Sequence, residues 1–86
     1  MINKVFTVHD IKAEAYLPPF FFPTAAMAHR AFTQAVNSTD HQFAATPEDF
    51  TLLEIGEFDD ETGELKRDDH RPIAKGLEVK KMTSTD

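Results

Sequence analysis

Tyr16-Leu17-Pro18-Pro19-Phe20-Phe21-Phe22-Pro23 is the stretch on which the arrangement of the whole chain turns. It holds four of the aromatic residues and three of the five prolines. Proline has no amide N–H and clashes with the preceding helical turn, so this is not helix interior. The same missing donor argues against a central strand. Pro18 and Pro23 also push Leu17 and Phe22 toward extended backbone. The sequence predicts an extended connector outside any regular ladder. Its large side chains must then cover a core, dock on a second subunit or face a partner.

On the N-terminal side, residues 2–10 read as a strand, with Phe6 and Val8 on one face and Val5 and Thr7 on the other. On the C-terminal side, Thr24 is suited to cap a helix over 24–37. Ala28, Ala31, Phe32, Ala35 and Val36 recur at three- and four-residue spacing and give that helix an apolar stripe, with Met27 at its margin. Asp40 to Thr46 reads as a polar loop around Phe43. Thr46-Pro47-Glu48-Asp49 has the form of a capped turn, with Thr46 as cap and Pro47 in the first turn position. A second strand follows over Phe50–Phe58. Phe50 and Leu52 share one face and Leu53 and Ile55 the other, so a single helix layer covers only half of its apolar surface. Asp59-Asp60-Glu61-Thr62-Gly63 is the clearest turn, with Gly63 free to take positive φ and close a hairpin. Gly56 inside the strand marks a bulge or a close backbone approach. Glu64 to Arg67 begins the returning strand. Asp68 to Pro72 reads as polar and turn-like, and the end, from Gly76 on, as loose.

The chain has 86 residues, which is one domain. At this size apolar burial and ordering entropy nearly offset each other, which makes association attractive. There is no cysteine, so disulfides, thiolate nucleophiles and cysteine metal sites are excluded. The opening Met1-Ile2-Asn3-Lys4-Val5-Phe6 alternates too soon with polar residues for a signal peptide. No apolar run approaches the ~20 residues of a membrane span. Net charge is −6, from 9 basic and 15 acidic residues. That balance counts against nonspecific nucleic-acid binding unless charge segregates.

Catalytic and metal patterns are missing from the sequence. His9, His29, His41 and His70 match no zinc spacing. The acidic run from Glu57 to Glu61 departs from a calcium loop and reads as a solvated hairpin tip. Ser38, Thr39 and Asp40 near His41 have no recognisable nucleophile frame. The expectation is a protein with no catalytic residue, no metal and no cofactor. The candidate partner or oligomer interface is Tyr16, Phe20, Phe21, Phe22, Leu53 and Ile55. The competing use of those aromatics is a platform for single-stranded bases, with Lys4, Lys12, His29 and Arg30 as candidate nucleic-acid contacts.

Several pieces occur in a telling order: Lys4-Val5-Phe6-Thr7-Val8-His9-Asp10, Lys12-Ala13-Glu14, Pro18-Pro19-Phe20, Arg30-Ala31-Phe32, Val36-Asn37, Pro47-Glu48-Asp49-Phe50, and Ile55-Gly56-Glu57-Phe58-Asp59 with Thr62-Gly63. This order resembles the small nonstructural protein of gokushovirus-type microviruses, phages with circular single-stranded DNA. The resemblance covers roughly residues 4 to 65. The triple phenylalanine is heavier than the family norm. The resemblance implies a viral protein in the cytoplasm of the infected bacterium, absent from the mature capsid. It further implies action in viral single-stranded DNA synthesis or its coupling to packaging, alongside viral or host proteins. It carries over no catalytic or DNA-contacting residue.

The expected architecture is α+β: a small antiparallel sheet, made of an N-terminal strand and a C-terminal hairpin, packed against one helix. Residues 1–72 form the domain and 73–86 a flexible or partner-ordered tail. A homodimer is the default assembly, with no membrane contact. The expected function is nonenzymatic, through protein contacts and, as a competing mode, DNA contacts. The alternative is an assembly or host-interaction protein that never touches DNA.

Overall fold

In a computed structural model, which describes residues 1–81, the N-terminal alternation becomes strand β1 (Ile2–Asp10). β1 lies inside a five-stranded antiparallel sheet and is paired along both edges. One edge carries two short strands in succession, β2 (Ala15–Tyr16) and β3 (Phe20–Phe22). The other carries β4 (Phe50–Asp59), which pairs in turn with β5 (Leu65–Lys75). Helix α1 (Ala25–Val36) packs on one face. The fold is α+β, as the sequence indicates.

The proline–phenylalanine stretch corrects one expectation. It joins the ladder, with Phe20, Phe21 and Phe22 opposite Phe6, Val5 and Lys4. The prolines flank those three residues and do not interrupt them. Between the His9–Tyr16 and Phe6–Phe20 pairs, Leu17, Pro18 and Pro19 face only Thr7 and Val8. The extra residue makes a bulge at a sheet edge, where proline's missing donor costs nothing. Two bonds pin it: the Leu17 N–H donates to the Val8 carbonyl at 2.9 Å, and the Thr7 hydroxyl donates to the Leu17 carbonyl at 2.7 Å.

The helix begins and ends as its sequence dictates. Thr24 accepts the Met27 N–H at 3.2 Å, and Ala28, Phe32 and Val36 turn inward onto Phe6, Val8, Phe50 and Leu52. The segment read as a polar loop holds a short helix, α2 (Gln42–Ala45), capped by the His41 ring, which accepts the Phe43 N–H at 3.1 Å. Phe43 is buried, its ring 4.5 Å from that of Phe50 and 5.7 Å from that of Phe32. The next turn, Pro47–Asp49, forms as predicted, but the Thr46 side chain makes no capping bond.

β5 corrects a second expectation. The polar run Asp68 to Pro72 is strand, not turn. Asp68, Asp69 and His70 together face Ile55, and Ile73 is an extra residue between the Ala74 and Pro72 pairs. These irregularities and Pro72 are tolerated because β5 is an outer strand with one unpaired side. The ordered chain also continues past residue 72. Ala74 is in the core, and helix α3 (Gly76–Val79) follows. Asn37 at the end of α1 donates to the Val79 carbonyl at 3.0 Å and accepts the Lys81 N–H at 2.7 Å. The Lys80 ammonium reaches the Val36 and Ala44 carbonyls at 3.2 and 3.4 Å, a cation placed on the C-terminal ends of α1 and α2. Within the span read as a flexible or partner-ordered tail, residues 73–79 thus take regular structure against the domain, and residues 82–86 lie outside the described residues.

Two backbone details set the β4–β5 hairpin. Gly63 has φ 76 and its N–H donates to the Asp59 carbonyl at 2.7 Å. Gly56 is buried opposite Arg67 of β5, and a Cβ there would run into the Lys66 carbonyl oxygen. Gly56→Ala is expected to destabilise the fold by about 1–3 kcal/mol, the range for forced overpacking, read from urea unfolding. The Asp59 carboxyl is held below its ordinary value, first by the Glu61 N–H, which donates at 2.9 Å, and then by that of Thr62. A lowered folded value stabilises above the unfolded pKa and is lost as pH falls through the folded one. The Asp59 carboxyl should therefore titrate by NMR below a free aspartate, and Asp59→Asn should flatten the acid limb of stability.

Candidate interaction surfaces

α1 covers one face of the sheet. Among the described residues no helix packs on the opposite face, and the register decides what stands there. Val5, Thr7 and His9 of β1 point to it, as do Tyr16 of β2, Phe21 of β3, Leu53 and Phe58 of β4, and Leu65, Arg67, Pro72 and Lys75 of β5. Three rings meet at one end. Tyr16 stacks on His9 with centroids 4.5 Å apart, and its edge meets His70 at 5.6 Å. Tyr16 is 52% exposed, so the cluster is a surface feature and not a core. At the other end Phe21 meets Phe58 edge-on at 5.8 Å, beside a shallow cavity of about 260 Å³ bounded by Val5, Ile55, Leu65 and Arg67.

The second surface lies on the helix side. Leu17, Phe20 and Phe22 form one wall of an open groove of about 560 Å³, and Ala31, Ala35 and Phe43 form the other. Every residue lining it is uncharged. The groove runs along β3, whose outer edge pairs with no strand among the described residues. The two sheet edges differ. β5 is guarded by Lys66, Arg67, Asp68 and Asp69, two irregularities and Pro72. β3 carries three phenylalanines, fenced only by the prolines at its ends.

Beyond the reach of α1 the helix side turns polar. Glu54, whose side chain is 7% exposed, accepts from Arg71 at 2.8 Å and from Lys4 at 3.4 Å. Both carboxylate oxygens are engaged, so the charge is neutralised across three strands. Among the described residues, no buried side-chain nitrogen or oxygen is left without a partner. Nor do three or more His, Asp or Glu gather as they would around a metal ion, and no helix is long and apolar enough to cross a membrane.

The sequence-predicted site residues divide. Tyr16 and Phe21 are exposed and Ile55 half-buried on the uncovered face. Phe20 and Phe22 pack on Phe6, with centroids 6.0 and 6.4 Å away, so they belong to the core as well as to the groove. Leu53, 7% exposed, is buried within its own chain. Lys4, Lys12, His29 and Arg30 do not converge. Lys4 is held by Glu54; the Lys12 amide bonds the Asp10 carboxylate beyond the end of β1; His29 and Arg30 are exposed on α1, across the sheet from Tyr16. The residues that sequence reasoning missed are His9, His70, Arg67 and Phe58. Alternation along β1 places His9 beside Thr7, but only the β5 irregularity brings His70 to Tyr16.

The family described as Phage ORF5 protein matches residues 3–79. No curated protein and no solved structure matches the chain. Removing the carboxylate with Glu54→Ala should cost about 1–2 kcal/mol in urea unfolding. That is less than the about 3–5 kcal/mol of a fully buried broken pair, because Arg71 can rehydrate.

Proposed function

We propose, because the chain belongs to the Phage ORF5 protein family and is a phage protein, that it is a nonenzymatic adaptor. It acts in viral single-stranded DNA synthesis or its coupling to packaging, in the cytoplasm of the infected bacterium. The order of motifs resembling the gokushovirus-type nonstructural protein supports that assignment. It works through protein contacts, the first of them with a second copy of itself, with direct contact to single-stranded DNA as the competing mode.

The observation that carries this reading is the open β3 edge beside an uncharged groove. A strand edge offers backbone donors and acceptors, and the groove offers apolar surface; together they suit strand addition. In a chain of net charge −6, an uncharged patch is where a second copy can approach without repulsion. Two-fold pairing of β3 with its copy would fill both grooves with the same residues from either side. The same uncharged groove also suits a viral or host protein, and an assembly or host-interaction role without DNA is the second reading.

Light scattering of the purified chain, with and without single-stranded DNA at low and moderate salt, separates the readings. The adaptor reading expects the mass of a dimer, about twice 9.7 kDa, persisting at moderate salt because apolar contacts are little screened. Ala31→Glu, a good helix former that puts a charge into the groove, is expected to give a folded monomer by circular dichroism and mass. A wild-type monomer at all concentrations tested overturns the self-association step.

A further inference from the structure

We infer that the uncovered face of the sheet is a binding site for single-stranded nucleic acid, with Tyr16 as the stacking residue and Arg67 and Lys75 as phosphate contacts. The inference deepens the adaptor reading and rests on it, because it names what the face opposite α1 holds while the groove holds a protein.

Three observations carry it. First, the face presents aromatic rings outward. Tyr16 is the centre of a cluster with His9 at 4.5 Å and His70 at 5.6 Å, so its ring is fixed in orientation while half exposed. Phe21, 48% exposed and braced by Phe58, offers a second ring. The two lie in rows four residues apart on β1, about 13 Å. Rings held rigidly by their neighbours are suited to stacking bases, since little freedom is lost on contact.

Second, charge has segregated. The chain has 15 acidic residues against 9 basic. Yet no carboxylate stands at any paired position on this face, where Arg67 and Lys75 do. The acids are elsewhere: Glu57 and Asp59 are at helix-side positions, and Glu54 is neutralised there. A polyanion approaching this side meets cations and imidazoles and avoids the acidic surface. Asp68 and Asp69 are the exception in the vicinity. They follow Arg67 and share a surface hollow with it, in the irregular part of β5 outside the paired register, and set a limit on affinity.

Third, the chemistry favours an unpaired strand over a duplex. Stacking needs bases with free faces, which a duplex hides. The two rings and two cations also match a short stretch of backbone and not an extended groove contact. A protein ligand for the same face would need donors and acceptors for its own backbone, which the middle of a paired sheet does not offer.

Tyr16 is the sole tyrosine and the chain has no tryptophan, so intrinsic fluorescence reports on this site alone. Titration of the full chain with a short oligo(dT) is expected to quench that fluorescence. Affinity should fall with salt at a log–log slope of about −1.4, from about −0.7 for each of two phosphate contacts. By anisotropy of labelled oligo(dT), Tyr16→Ala should bind roughly tenfold more weakly, the loss of one stacked base, and Tyr16→Phe should bind as wild type. Arg67→Gln should reduce the slope by about 0.7, and Asp68→Asn with Asp69→Asn should tighten binding. Circular dichroism confirms folding of each variant, and Arg67→Gln, an exposed change, carries the test if Tyr16→Ala does not fold. Binding of oligo(dT) without quenching, or with undiminished affinity in Tyr16→Ala and an unchanged slope in Arg67→Gln, overturns the site and leaves the adaptor reading intact. The same holds if a dimer forms and binds no oligo(dT). A monomer that binds oligo(dT) with quenching supports the site and removes the self-association step instead.

Discussion

A mismatch of lengths governs this molecule. α1 has 12 residues, about 18 Å at 1.5 Å each. β4 has 10 residues, about 33 Å at 3.3 Å each. The helix shields little more than half of one side of the sheet and none of the other. Where it lies, Phe6, Val8, Phe50 and Leu52 are apolar and buried. Where it stops, the same side switches to Lys4, Glu54 and Arg71, which neutralise one another. The proline bulge serves both sides, with Leu17 packed against the helix-side core and its carbonyl accepting the Thr7 hydroxyl. What remains uncovered is therefore a residue of geometry, and the chain has furnished it with rings and cations.

Much of this could be read from the amino acids alone. The periodicity of Ala28, Phe32 and Val36, the Thr24 cap and the Gly63 turn are local signals, and local signals act through nearby backbone. Gly56 announced a close approach because only glycine leaves room for a neighbouring carbonyl. The errors arose where tertiary pairing outweighs local preference. Three phenylalanines between prolines look excluded from a ladder until one sees that a bulge takes up Pro18 and Pro19 and that the strand ends before Pro23. Asp68 to Pro72 has turn composition, yet an outer strand accepts it because half its backbone faces water.

The candidate site was legible in part for the same reason. Tyr16 and Phe21 stand out as large apolar side chains on short, proline-flanked strands. Their companions did not, because His9, Tyr16 and His70 are brought together by pairing across the sheet and by an irregularity in β5 that spacing does not encode. The basic residues were the least legible. Lys4 is consumed by Glu54, while Arg67 acquires its orientation from its place opposite Gly56. The contacts of Val79 and Lys80 with Asn37 and with two carbonyls at helix ends were not legible, because no pattern in the last residues reveals those partners.

The unequal edges of the sheet have a consequence for how far assembly can go. A sheet lengthened through β3 joins two subunits and leaves β5 on both outsides, and β5 is closed to further strands by its charges, its kinks and Pro72. Growth in that direction terminates at once. A chain with three consecutive phenylalanines on one strand margin and a guarded strand on the other would, on pairing through β3, be kept from propagating into a fibre, because the first contact would use up the open rim.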